Sequence, residues 1–263
     1  MTPENVCAIC YSPTGTTRRV VEGIVEGTAL PSWLIDLTLP SCLPLESGRL
    51  AADLLVVGVP VYGGRMAPVA RRRLSSLWAA PAPVVLVAVY GNRAYEDALK
   101  EIGLLALGKG LTPVAAGTFI GEHSFSTPEA PIAEGRPDGI DLDRARGLSR
   151  AVVRKLSGTS NPEEAALTRI PGEHPPRPTS RRETEGPWVD RDLCVGCGRC
   201  ISVCPTGTAK GEPGVECTLC SACLRACESG ARDFIGATGE RVSQAAEWLY
   251  RNFKSRREPE VFV

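Results

Sequence analysis

Nowhere in the 263 residues does an apolar run approach the roughly 20 residues of a membrane-spanning helix, so no membrane association is expected. Charge of one dominant sign is missing as well. Thirty basic and thirty acidic side chains cancel, which removes any global electrostatic reason to expect nucleic acid or an anionic membrane as partner. The opening residues Met1-Thr2-Pro3-Glu4-Asn5 carry neither a basic stretch nor an apolar one, so a reducing, cytoplasmic location is the expectation. Two nucleotide fingerprints are absent too: the lysine loop G-x-x-x-x-G-K-S/T, and a G-x-G-x-x-G turn. Nucleotide triphosphate chemistry and direct oxidation of a nicotinamide dinucleotide are therefore not expected. An apolar fraction of 43% is ordinary for a globular protein.

Cysteine, by contrast, is concentrated. Cys194, Cys197, Cys200 and Cys204 spell C-x2-C-x2-C-x3-C, and Cys217, Cys220, Cys223 and Cys227 repeat the same spacing. Structural zinc is the first alternative, but zinc ribbons pair two C-x-x-C knuckles across a loop of roughly 15–20 residues, whereas here every third position is a cysteine. A disulfide framework needs an oxidising compartment. The doubled run fits two 4Fe-4S clusters, in which each fourth cysteine serves the other cluster. On that pattern Cys194, Cys197, Cys200 and Cys227 hold one cluster, and Cys217, Cys220, Cys223 and Cys204 hold the other. Residues 187–237 contain six acidic and five basic side chains, so two clusters of about −2 each would make this region negative.

The first 158 residues alternate apolar strand-like runs with amphipathic segments, the pattern of an α/β domain with a parallel sheet. Strands are expected at 6–11, 33–37, 53–59, 84–90 and 114–120, and helices at 17–27, 67–78, 95–109 and 141–156. Five strands with helices between them suit a flavodoxin-like doubly wound sheet, whose ligand lies at the carboxyl ends of the strands. The division expected is a domain over 1–158, a Pro-rich connector over 159–186, a small α+β two-cluster domain over 187–237, and a helix with tail over 238–263. Pro162, Pro171, Pro175, Pro176, Pro178 and Pro187 give the connector its extended character, and it is free to lie as a strap on the first domain. In the tail, Val242, Ala245, Ala246, Leu249 and Phe253 recur at helical spacing.

Three loops of the first domain point to a ligand. Ser12-Pro13-Thr14-Gly15-Thr16-Thr17 follows the first strand and opens the first helix, where free N–H groups and the helix dipole favour a phosphate. With Ser12, Thr14, Gly15, Thr16 and Thr17 as cradle and no counter-cation, a single terminal phosphate suits flavin mononucleotide, FMN. After the third strand come Pro60, Val61, Tyr62, Gly63 and Gly64, and after the fourth Tyr90, Gly91, Asn92 and Tyr95. Their glycines admit backbone to a ring edge and their tyrosines offer stacking faces.

Together with Y-G-N-R-x-Y-E-D-A-L, G-E-H-S-F-S and G-R-P-D, these loops and the doubled cysteine run resemble the flavodoxin–ferredoxin fusion proteins of anaerobic prokaryotes. The resemblance covers nearly the whole chain and implies one FMN, two 4Fe-4S clusters and electron transfer between them. The partner it leaves open is either a redox protein or a small-molecule acceptor. An FMN-dependent reductase of a small acceptor, with its pocket bordered by His123, Phe125 and Arg136, is the alternative; a redox sensor is a third reading. In one place the chain departs from the pattern. Cys204 is followed by Pro205, but Cys227 is followed by Glu228, which is expected to loosen that turn and alter the nearby cluster's potential.

A few residues are open to two readings. Cys7 and Cys10 form a C-x-x-C on a strand, where positions three apart face opposite sides, so they and Cys42 read as small core or loop hydrophobes. Arg71-Arg72-Arg73 reads as a solvated face, or as a dock for the negative cluster region. His123 is either a plain loop histidine or a proton source for the flavin, and Arg65 either a surface arginine or a stabiliser of charge on reduced flavin.

Overall fold

The computed structural model describes residues 1–42, 50–77, 79–173, 186–210 and 217–263. Trp78, expected to end the second helix, and Pro175, Pro176 and Pro178 of the connector lie outside the described residues.

Five parallel strands form the centre: β1 (Val6–Cys10), β2 (Ser32–Asp36), β3 (Leu54–Tyr62), β5 (Pro83–Tyr90) and β6 (Thr112–Ile120). Their order across the sheet is β2-β1-β3-β5-β6, the flavodoxin-type order with its switch between β1 and β3. All eight residues of β5 are buried, as a strand covered on both faces requires. Helices α1 (Thr16–Thr28) and α4 (Gly139–Ser157) cover one face, while α2 (Pro68–Ser76) and α3 (Ala98–Gly108) cover the other. Cys7 packs with the α2/α3 core and Cys10 with the α1/α4 core, so strand alternation does separate them. Burial pushes both thiols up to about 12, which keeps them as inert packing groups.

Two strands of the main sheet, among the described residues, lie outside the expected five. Gly63 and Gly64, at φ +61 and +79, make a two-residue turn that returns β3 as the short β4 (Arg65–Met66). Such a turn needs positive φ at both central residues, which glycine adopts without strain. The other addition comes from the far end of the chain: β9 (Glu260–Phe262) pairs antiparallel with β6 and closes that edge.

Beyond α4 the chain runs back over the sheet as a strap. Leu167 N–H donates to the Pro113 carbonyl at 2.8 Å, Ile170 is buried in the α2/α3 core, and Glu173 N–H donates to Asp97 Oδ1 at 2.9 Å. The strap thus travels from the start of β6 to the start of α3.

The cysteine-rich region is an internally repeated unit. Strands β7 (Trp188–Val189) and β8 (Arg232–Asp233) pair antiparallel, and two single-turn helices, α5 (Arg199–Ser202) and α6 (Ala222–Arg225), carry the third cysteine of each run. Each helix opens from a residue at positive φ, Gly198 at +72 and Ser221 at +59. Helix α7 (Gly236–Phe253) follows, and its Ala246 and Leu249 pack on Ile132 and Phe125 of the loop after β6. The apolar spacing in the tail therefore does mark a helix, and the domain it packs on is the sheet domain.

Candidate redox site

The carboxyl ends of β1, β3, β5 and β6 open into a cavity of about 770 Å³ including its mouth and the solvent in it. Its first wall is the loop into α1, through Ser12, Pro13, Thr14, Thr16 and Thr17. Gly15, at φ +82, is the N-cap of α1 and makes no side-chain cap. A glycine cap leaves the N–H groups of Thr16 and Thr17, at the start of the helix, without a side-chain acceptor from the cap residue. Ser12 Oγ accepts from Arg18 N–H at 3.0 Å and sets the turn, whereas Thr17 Oγ1 is buried with no hydrogen-bond partner among the described residues. A phosphate fits those vacant donors.

Pro60, Val61, Tyr62 and Gly63 form the second wall, and Val89, Tyr90 and Gly91 the third. Residues 121–125 supply the fourth, with His123 against Gly91 so closely that a Cβ there would lie 2.2 Å from the ring. Burial drives the Tyr62 phenol well above its ordinary value.

Four of the expected loop residues are used elsewhere. Gly15 stays behind the lining as the helix cap, and Gly64 packs under Glu96, where a Cβ would clash at 1.8 Å. Asn92, at φ +64, points its amide at the other end of the protein and donates to the Phe253 and Ser255 carbonyls at 2.5 and 2.9 Å. Tyr95 meets Tyr90 edge to face at 5.8 Å and donates to Glu260 at 3.1 Å. These two side chains hold the C-terminal segment instead of a ring. Arg65 pairs with Glu101, outside the cavity, so it does not face a flavin. Arg136 is buried in an ion pair with Asp141 and does not border the cavity either.

The last wall is the one that sequence reasoning missed: Thr218, Leu219 and Cys220, from within the second cysteine run. Nothing in a C-x-x-C loop signals what its intervening residues will touch. Behind this wall is a second, smaller cavity of about 290 Å³, lined by Cys204, Cys217, Cys220 and Cys223. The fourth cysteine of the first run thus lines one cavity with the first three of the second. Thr218 and Cys220 belong to both cavities. Among the described residues no three His, Cys, Asp or Glu converge on a single metal ion. Leu219 N–H donates to Cys217 Sγ at 3.4 Å, the kind of N–H to sulfur bond that tunes a cluster. Burial raises the Cys217 and Cys223 thiols to about 11 and 12, so metal loading must displace their protons.

The other four cysteines lie nearer the surface, Cys194 and Cys197 exposed and Cys200 and Cys227 half-buried. Ser229 stands 3.7 Å from the Cys227 sulfur and lowers that thiol's pKa. Glu228, which replaces the usual proline, does not stay a bare charge: Arg199 pairs with it across the two runs.

Two arginines fix the cysteine region to the sheet domain. Of the Arg71-Arg72-Arg73 run only the last is buried; it donates through Nη1 to the Leu37 and Thr38 carbonyls and through Nη2 to the Pro205 carbonyl at 2.7 Å. The docking reading of that run holds for Arg73, while Arg71 and Arg72 remain a solvated face. From the opposite side, Arg225 of α6 donates to the Glu122 carboxylate and the His123 carbonyl, each at 3.0 Å.

Comparison with known proteins finds relatives of the cysteine region. The model of a 4Fe-4S binding domain matches residues 187–210. An uncharacterized ferredoxin of Methanocaldococcus jannaschii is 43% identical over 53 residues, spanning 16% of this chain and 69% of that protein. Pyruvate synthase subunit PorD of Methanothermobacter marburgensis is 31% identical over 58 residues, 22% of this chain and 72% of that one. Among solved structures, a flavodoxin from the domain Archaea aligns at 16% identity and a TM-score of 0.42, covering 58% of this chain and 99% of that chain. No helix among the described residues is long and apolar enough to cross a membrane. Through its C-terminal region the chain belongs to the 4Fe-4S ferredoxins, and the flavodoxin-like sheet ahead of that region makes it a flavodoxin–ferredoxin fusion with a redox, electron-transfer role.

Proposed function

We propose that the chain passes electrons between FMN in the larger cavity and two 4Fe-4S clusters, one behind the shared wall and one toward the surface. The observation that carries this reading is the wall itself: Cys220, a ligand of the inner cluster, also lines the cavity where the flavin would lie. Ser12, Thr14, Thr16 and Thr17 would hold the phosphate, and Pro60, Val61, Tyr62, Gly63, Tyr90 and Gly91 would flank the ring. Cys204, Cys217, Cys220 and Cys223 would hold the inner cluster, and Cys194, Cys197, Cys200 and Cys227 the outer one. When bound, FMN takes up a pair of electrons and the clusters carry one each, so the assembly converts between paired and single transfers. A redox partner would exchange electrons at the outer end, where Cys194 and Cys197 are exposed.

An FMN reductase acting on a small acceptor needs an open flavin face. Here the expected border residue Arg136 is paired elsewhere, and the cysteine region occupies one wall of the cavity. Both facts favour the carrier. Protein purified without oxygen is expected to contain FMN and about eight irons. Cys220→Ala should lose the inner cluster and slow reduction of the flavin by a reduced partner, with FMN still bound. Zinc in place of iron, a chain that binds no FMN, or unchanged flavin reduction in Cys220→Ala would overturn the reading.

A further inference from the structure

His123, which lines the larger cavity, is held by several neighbours. Its Nδ1 accepts the Phe125 N–H at 3.0 Å, its own N–H donates to the Ile132 carbonyl at 3.1 Å, and its ring lies against Gly91 and edge to face with Phe125 at 5.1 Å. A backbone N–H on Nδ1 leaves the hydrogen on Nε2. Among the described residues no acceptor takes that hydrogen.

We propose that His123 is the hydrogen-bond donor to the polar edge of the flavin ring, presented as its Nε2–H tautomer, and that Arg225 of the cysteine region positions it. The proposal rests on the FMN reading given above. Arg225 sits between Cys223, a ligand of the inner cluster, and Cys227, a ligand of the outer one, and its guanidinium grips both the His123 carbonyl and the adjoining Glu122 carboxylate. The same helix turn that carries a cluster ligand therefore sets the height of the imidazole in the cavity. Burial, with Arg225 and Arg93 nearby, pushes the imidazole pKa down to about 4, so the ring stays neutral near pH 7. His123 then acts as a donor and not as an acid. A neutral donor stabilises the more electron-rich reduced flavin over the oxidised form without supplying a proton.

The test compares full-length, cluster-loaded protein as wild type, His123→Gln, His123→Leu and Arg225→Met in anaerobic redox titrations followed by flavin absorbance. Loss of the donor in His123→Leu should reduce the preference for reduced over oxidised FMN about tenfold, the scale of one well-placed hydrogen bond. For a two-electron couple that is a midpoint about 30 mV lower. His123→Gln, which can still donate, should restore most of the difference, and Arg225→Met should shift the midpoint in the same direction as His123→Leu. If His123→Leu loses the flavin altogether, His123→Gln against His123→Asn supplies the contrast, since the shorter amide falls short of the ring. Equal midpoints across donor and non-donor variants overturn the assignment while leaving FMN in place; a wild type that binds no FMN overturns the functional reading instead.

Discussion

Thr17 has a hydroxyl that is buried against the larger cavity and, among the described residues, bonded to nothing. Burying such a group without a partner costs about 1–3 kcal/mol, a penalty that a bound phosphate oxygen would remove. Thr17→Val keeps the shape and deletes the hydroxyl, so two measurements should move in opposite directions. The flavin-free protein should melt at an equal or higher temperature, while FMN binding should weaken by roughly 10- to 100-fold, as for a hydrogen bond to a charged group. Weakened binding together with a lower melting temperature would mean that Thr17 is a packing residue. At this scale the sequence was legible where a wall is built from neighbours in the chain: the loop into α1, which lines the larger cavity, follows from local spacing. Asn92 and Tyr95 were not legible, because their partners Ser255 and Glu260 lie 163 and 165 residues away. Arg73 was only half legible for the same reason, its target being the carbonyl of Pro205.

Helix α1 places the cradle, and what fixes α1 is its crossing with α4. Gly27 sits at the crossing, where an added Cβ would come within 2.6 Å of the Arg146 Cα and carbonyl and 2.4 Å of Ser149 Oγ. Ala is the better helix former by about 1 kcal/mol, so propensity alone predicts that Gly27→Ala stabilises. Backbone atoms cannot step aside, and forcing a methyl into a packed contact costs about 1–3 kcal/mol. The expected outcome is a net loss of stability in urea unfolding and weaker FMN binding, because α1 must tilt and carry its N-terminus with it. A Gly27→Ala protein more stable than wild type would show that the helices part without cost. The long elements themselves were readable: all five parallel strands and the helices between them fall within a few residues of their apolar patterns. Missing from that reading was β9, whose three residues, Glu260, Val261 and Phe262, are too few to mark a strand by their own pattern. A strand of that length is stabilised by the edge it joins, not by its own sequence.

β9 joins the sheet after the cysteine region has been traversed, so that region is tethered to the sheet at both of its ends. The strap enters it from Glu173, bonded to Asp97, and α7 leads back to β9 on β6. Two covalent tethers on one sheet raise the effective concentration of the cluster region at the flavin cavity well above what a single linker gives. The returning tether has its own fastenings: Arg136 donates to the Arg257 carbonyl at 3.0 Å, Arg256 pairs with Asp138 at 2.6 Å, and Asn92 holds the end of α7. Arg256 keeps the Asp138 carboxyl well below the usual carboxylate range. Its contribution is therefore complete above the unfolded carboxylate pKa of about 3.9 and disappears only as pH falls further. Deleting residues 256–263 removes β9 and Arg256 but leaves every cavity residue and every cysteine in the chain. With both tethers, flavin release and cluster loss are expected to follow one thermal transition at neutral pH. Without the second tether, the cysteine region should separate first, so that iron is lost at a lower temperature than FMN and two transitions replace one. Calorimetry alongside flavin fluorescence and iron absorbance would distinguish the cases. A truncated chain that still loses both in one step at the original temperature would mean that Arg73 and Arg225 alone fix the cluster region to the sheet, with the C-terminal strand serving only to cover the edge of β6.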